Sequence, residues 1–408
     1  MKRDYEVLRG LGEKLADIAA LPVHKEKRAL WTANNDLKPV RPLVLMDQLP
    51  WHELAKSDEM KLECEDAFLR SVEQTIREIL YRWAHFPVDM VVENRIDVPK
   101  TVRNLNYGIH IREESLKADP GNDIYSHKYE DQLRTIEDLD ALKEDAVEAD
   151  AALDQRHLEI LNEIFKGLLP VRLSGVQIHA GIWDRIAQMR PAEHILWDLA
   201  DDPDLIEATV KKFVQLSLAT VDQCEALGLL DPALQYVHCT GAYVSDLPGD
   251  SFTGEKALAK DCWAFGMAQL FATVSPAMHD EYEIELVKPL YERFGLMYYG
   301  CCEPLHDRIH LIRKIKNVRK ISISPWANID IAAERIGRDY VFSSKINPAF
   351  IANGFVKDDI VDQFSHVLRA TQAHGTPAEF ILKDVSTVGN RLERLDMWAE
   401  LAMSMVGA

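Results

Sequence analysis

The chain has 408 residues, 47% of them hydrophobic, with 47 Lys or Arg against 66 Asp or Glu, for a formal charge of -19. This acid surplus, with no Lys/Arg-rich arm and no basic stripe interleaved with aromatics, excludes nucleic acid as an expected partner, because nonspecific binding draws on clustered cations that neutralise phosphates. The start, Met1-Lys2-Arg3-Asp4-Tyr5-Glu6, turns polar before any signal-like apolar run, and even Leu168 to Val176 is broken by Arg172 and Ser174, so a soluble cytoplasmic protein with no membrane contact is expected.

Residues 1–40 are mixed and charged, with helical patterns near Gly12 to Ala20 and Lys25 to Asn34, and read as an N-terminal helical extension. Pro42 to Met46 is the first strand; Asp47 and Gln48 stand at its exit. From Cys64 to Trp83, Phe68, Val72, Ile76 and Ile79 recur at spacings of three and four, which predicts a helix. Asp89 to Val92 reads as a second strand, ending in Glu93-Asn94-Arg95. The segment of about 104–165 reads as an inserted excursion, without periodicity up to residue 135 and with acidic, solvent-facing helices over Gln132 to Glu163.

Val171 to His179 is the next strand candidate, and Ile182 to Ile186 begins a helix. Asp201-Asp202-Pro203-Asp204 opens the Leu205–Leu218 helix, since acids and an early proline suit free amides, and Gly228 suits its stop. Leu234 to Val237 reads as a strand ending at His238-Cys239, and the apolar run Gly266 to Val274 contains Gln269. His279 to Arg293 is helical and leads to the strand Leu296 to Tyr299, after which Gly300 frees the backbone and Cys301-Cys302-Glu303 follows. The alternation continues with helix Pro304–Ile315, strand Val318–Ile323, helix Asp330–Ile336, strand Tyr340–Ser343, helix Val356–Ala370, strand Glu379–Leu382 and helix Arg391–Met403. Such alternation requires parallel strands with helical crossovers. About eight strands with polar exits favour a closed TIM (β/α)8 barrel over an open sheet, which lacks its phosphate signature here.

The six cysteines are scattered except for Cys301-Cys302, and in a cytosolic chain they read as free thiols. Cys301 is a soft-metal ligand candidate, with Cys302, Glu303 and His238 as possible co-ligands, unless these are buried thiols and polar packing at turns. Asp47, Glu93, Gln269 and Asp384 follow apolar strands or runs and are candidate catalytic groups. Asn94, Arg95, His179, Trp326 and Arg391 occupy comparable rims and are candidate substrate contacts; helix capping and loop hydrogen bonding would use the same residue types.

The arrangement Val274-Ser275-Pro276, then Gly295 to Glu303, then Ile321 to Ser324, then the last strand and helix, resembles the uroporphyrinogen decarboxylase-like superfamily over Arg41 to Ala408. The resemblance implies one barrel over 41–408 with its cleft at the carboxyl ends of the strands. True decarboxylases of this family carry early arginines, whereas this chain has Met46-Asp47-Gln48. The resemblance is closer to the zinc-dependent, corrinoid-linked methyltransferase and O-demethylase branch, whose ligand cysteine falls on Cys301, while its histidine falls on Tyr299 and its later cysteine has no counterpart near Asp384 to Asn390. It implies demethylation of a small methoxylated, possibly aromatic, substrate, zinc as cofactor, a corrinoid on a separate partner protein, and a possible homodimer. Decarboxylase or lyase action on a small carboxylic acid, and a non-enzymatic corrinoid- or metabolite-binding barrel, are the alternatives.

Overall fold

The structure is a computed structural model that describes residues 2–105, 111–116, 126–144 and 146–407. Two helices come first, α1 (Lys2–Ala19) and α2 (Val23–Asn35), followed by strand β1 (Leu43–Met46) and helix α3 (Ala67–His85). Asp66 accepts from the Leu69 amide at 3.0 Å and so caps α3, which buries Leu69, Glu73, Ile76 and Tyr81, while Phe68, Val72 and Ile79 of the predicted stripe are only half-buried. The remaining principal strands are β2 (Ile96–Pro99), β3 (Val171–Ser174), β4 (Trp263–Gly266), β5 (Leu296–Tyr299), β6 (Val318–Ile323), β7 (Val341–Ile346) and β8 (Ala378–Leu382).

Six of these form one parallel sheet in the order β1-β8-β7-β6-β5-β4, and β2 pairs with β3 in a separate parallel pair. This is an α/β, TIM-like arrangement, but strand pairing among the described residues does not close a ring. Between the edges β1 and β4, contact is made by irregular segments: Asp89 donates its amide to the Val44 carbonyl at 3.0 Å, and Ala180 donates to the Phe265 carbonyl at 2.7 Å. Asp89 to Val92 is thus no ladder strand; Asp89 is instead fully buried, where its carboxylate receives the Arg41 guanidinium and the Val44 amide. Leu234 to Val237 shrinks to a two-residue strand, Tyr236–Val237, in a tight hairpin with Thr240–Gly241. Pro304 to Ile315 is mostly turns around one short helix, Ile309–Ile312. In the inserted region Glu113–Leu116 pairs antiparallel with Ser126–Tyr129, and residues 106–110, 117–125 and 145 lie outside the described set. No helix among the described residues is long and apolar enough to cross a membrane.

The six-strand sheet divides the core. Val44, Met46, Tyr299, Ile321, Phe342 and Phe380 pack against the outer helices, whereas Leu43, Leu45, Tyr298 and Ile381 face inward with α1, α2 and the Met90–Val98 segment. Strand alternation therefore also turns Lys320, Lys345 and Glu379 inward. Lys320 meets Glu379 at 2.8 Å, Thr240 at 2.8 Å and the Gly241 carbonyl at 2.9 Å, with both charged side chains wholly inaccessible. The Trp31 ring of α2 lies 5.2 Å from the Lys320 nitrogen and closes this end. Removing one partner of a buried pair leaves an uncompensated charge, so Lys320→Met is expected to cost about 3–5 kcal/mol in urea denaturation, and adding Glu379→Leu is expected to recover much of that loss. Equal stability of Lys320→Met and the parent chain would contradict it.

Candidate functional site

Beyond β5 the chain turns at Gly300, whose φ is 91° and where a Cβ would press on the Leu305 side chain; any other residue there would strain the turn that presents Cys301. The Cys301 and Cys302 sulfurs lie 3.6 Å apart, and His238 Nε2 is 3.9 Å from the Cys301 sulfur. His238 itself adopts a φ of 52° after the Tyr236–Val237 strand and stacks on Phe265 at 3.9 Å between ring centres. From the exit of β8, Lys383 places its ammonium 3.0 Å from the Cys301 sulfur, 3.2 Å from His238 Nε2 and 3.3 Å from the Asp384 carboxylate. Asp384, at φ 58°, also reaches the Cys302 sulfur at 3.8 Å.

The residues predicted as Cys301, Cys302, His238 and Asp384 are therefore brought together. Lys383, at their centre, was missed by sequence reasoning, although a lysine directly after the apolar strand Glu379 to Leu382 is the kind of signal that marked Asp384. Asp184 was missed too: it sits close enough to Glu303 and His238 to feel their charges, and burial first, then Glu303, pushes its carboxyl up to about 6. The hydrogen bond between the two thiols, ahead of burial, raises the Cys301 pKa, and the same bond lowers that of Cys302 against the opposing charges of Asp384 and Glu303. Cys302 is therefore the more readily ionised thiol of the two, and it is also the exposed member of the pair. Burial works against the Lys383 ammonium, while negative charge on the neighbouring sulfurs of Cys239 and Cys301, when they ionise, favours it and raises its pKa on balance.

Other expected residues lie elsewhere or hold structure. Glu303 is buried, with one oxygen accepting from the Cys301 amide at 2.9 Å and the other from the Ala268 amide at 3.2 Å; it shapes the turn instead of facing the sulfurs. Glu93 is committed to Arg28 at 3.0 Å and the Tyr243 hydroxyl at 2.7 Å, and Arg95 to Asp97 at 3.0 Å. Asn94 is exposed beside them. Trp326 is 68% exposed, and Arg391 extends into solvent beside Glu393, so neither belongs to the thiol site. Gln269 donates to the Met267 sulfur at 3.1 Å. Asp47 follows β1, its amide bonded to the Leu382 carbonyl at 2.9 Å, and its charge reaches Tyr236. His179 meets Phe265 edge to face at 5.0 Å and is exposed, yet desolvation, then the charge of His238, holds its imidazole below the usual pKa.

The expected zinc ligand set is not assembled. Among the described residues no group of three or more His, Cys, Asp or Glu side chains is arranged to hold a metal ion. The Lys383 ammonium stands against Cys301 and His238 where a metal cation would need to be, and Glu303 is spent on amides, so these residues do not fit zinc as they are placed.

Behind β5 lies a second polar cluster. Glu283, on a π-helical turn over His279–Glu285, accepts from Trp183 Nε1 at 2.9 Å and from the Tyr291 and Tyr299 hydroxyls at 2.5 and 3.1 Å. His279 Nε2 meets the same Tyr299 hydroxyl at 2.8 Å, and its Nδ1 receives Arg308 at 2.9 Å. Burial pushes Glu283 up to about 8 in spite of these hydrogen bonds, and burial followed by Arg308 holds His279 down at about 3.

No protein-family model matches the chain, and no curated protein matches it. Among solved structures it is similar to a methyltransferase from Methanosarcina mazei, with a TM-score of 0.51 and 10% identity over 92% of this chain and 97% of that chain. The shared property is the fold. It places the thiol cluster at the carboxyl-terminal rim of a TIM-like parallel sheet, the end where such folds carry their chemistry.

Two outcomes follow. Because Glu283 binds its proton more tightly folded than unfolded, its contribution is complete below about pH 4.5 and is lost as pH rises to about 8. Glu283→Gln is therefore expected to remove that decline in pH-dependent urea denaturation; an identical pH profile would refute the shift. Brief alkylation with iodoacetamide followed by mass spectrometry should label Cys302 before Cys301, and Cys302→Ser should remove the fastest phase. Preferential labelling of Cys301 would reverse the assignment.

Proposed function

We propose that the chain is a methyltransferase that removes the methyl group from a small methoxylated, aromatic substrate and passes it to a corrinoid carried by a separate protein. The observation that carries this reading is the Lys383 ammonium held against Cys301, His238 and Asp384 at the strand-exit rim, in a fold similar to that of a methyltransferase. The corrinoid would supply the nucleophile that takes the methyl carbon.

In the transfer, the bond between oxygen and the methyl carbon breaks with its electron pair left on oxygen, while the acceptor's pair forms the new bond to carbon. Negative charge grows on the leaving oxygen, and a fixed cation or a proton donor beside it lowers the barrier. Lys383 supplies the cation, oriented by Asp384 and His238. Asp184, protonated up to about pH 6, supplies the proton that converts the leaving oxygen to a hydroxyl. In this reading the electrophilic role assigned to zinc falls to side chains.

The test is incubation of the purified chain with a panel of methoxybenzoates and chemically reduced cobalamin, with chromatographic detection of the demethylated phenol. Product should form, and Lys383→Met should slow it by roughly 100-fold, within the range of general acid–base effects, while Asp184→Asn should remove the loss of rate above about pH 6 along with most of the rate itself. Absence of phenol with every methoxybenzoate would sink the methyl-transfer reading. Release of carbon dioxide from the same acids would favour a decarboxylase, in which Lys383 pairs with the substrate carboxylate.

A further inference from the structure

Away from the thiols, a cavity of about 400 Å³ lies between α3 and the Met90–Pro99 segment. Its volume falls within the range of small-molecule sites. Phe68, Val72, Ile76 and Ile79 of α3 face Met90 and Val98 across it, so most of the wall is apolar. Arg82, Glu93, Arg95 and Asp97 make the charged part of the lining, with Tyr236 beside them; Cys301, Cys302, His238 and Lys383 are not among the lining residues.

The charges there are unevenly satisfied. Glu93 is held by Arg28 and Arg95, and Asp97 by Arg95 and by Arg172, which also pairs with Asp231. Arg82 donates to the Met46 carbonyl, and no carboxylate among the described residues lies within 4.0 Å of its guanidinium. Glu78 feels its charge but accepts its hydrogen bond from Gln74, and Asp47 acts on Tyr236 from farther off. Of the two guanidiniums in the lining, Arg95 is ion-paired to Glu93 and Asp97, whereas Arg82 is ion-paired to no carboxylate among the described residues. The guanidinium without an ion pair is therefore the one at the edge of an apolar chamber.

We infer that this cavity is a binding site for a planar aromatic monocarboxylic acid, its ring between α3 and Met90 and its carboxylate on Arg82. A guanidinium fork matches a carboxylate in two parallel hydrogen bonds. A neutral ring would leave that fork unused, and a second carboxylate would be set against Glu93 and Asp97. The inference does not depend on methyl transfer, because occupancy of the cavity can be read without acceptor or turnover.

The experiment is isothermal titration calorimetry of the full chain with 2-naphthoate and with the neutral 2-naphthalenemethanol. Saturable binding of naphthoate is expected, with the alcohol at least about tenfold weaker, since it lacks the charge-assisted pair. Arg82→Gln should weaken naphthoate about tenfold and leave the alcohol unchanged. Val72→Trp, which fills the chamber from the apolar side and keeps the Arg82–Met46 contact, should abolish both, with circular dichroism verifying that each variant stays folded. No saturable naphthoate binding at millimolar concentration, alcohol binding as tight as naphthoate, or naphthoate binding unchanged in both folded variants would each overturn the proposal.

Discussion

A lysine ammonium buried in a protein interior has to be neutralised where it stands, and three of them on adjacent strands govern how this molecule is built. Lys320 is matched by Glu379, a full carboxylate, at the closed end of the inner face. Lys345 has softer company: the Tyr298 hydroxyl, the Cys239 sulfur at 3.1 Å and the Ser343 hydroxyl at 3.3 Å. Lys383, at the rim, meets a thiol, an imidazole and a half-exposed aspartate. From floor to rim the partners pass from a fixed charge to groups that can be polarised or can exchange protons. The floor pair suits stability; the rim group suits chemistry.

Strand β5 joins this inner column to a separate outer one. Its consecutive residues Tyr298 and Tyr299 point to opposite sides, so one hydroxyl sits with Lys345 and the next with Glu283 and His279. Glu283 holds its proton to about pH 8 and His279 is neutral through the same range, so the outer column carries its charge on Arg308. Gly300 then releases the chain into the thiol turn. The two tyrosines, the glycine and the cysteines are consecutive, which makes the position of the sulfurs sensitive to packing on both faces of the sheet.

The parts legible in the sequence were those set by local pattern. Periodicity located α3 and strands such as Leu296–Tyr299 and Val318–Ile323 to within a few residues, whereas the helix read as Leu205–Leu218 runs over Pro203–Leu227, up to the Gly228 stop. Asp89 to Val92 misled because a buried apolar run looks the same whether it joins a ladder or, as here, is held by the Arg41–Asp89 pair. At the site, Cys301, Cys302, His238 and Asp384 could be singled out by chemistry and strand position. Their central partner stands at the same strand exit but was passed over, because a lysine on its own reads as a solvated side chain until the fold wraps sulfur and imidazole around it. Glu93 and Arg95 passed the same positional test, yet each found a nearer charge of opposite sign. Trp326 and Arg391 failed because a position after a strand, or at the start of a helix, does not fix which way a side chain points.

The first two helices have a consequence for how the molecule can be divided. The sequence pauses near residue 40, where a composition shift invites a boundary, but Trp31 underlies Lys320 and donates its indole hydrogen bond to the Asp89 carbonyl at 2.8 Å, while Asn35 ties down Gly241 and Tyr243. A fragment beginning at the first strand would admit water to the Lys320–Glu379 pair from below. The helices are a keel, and the hull above them is not an independent vessel.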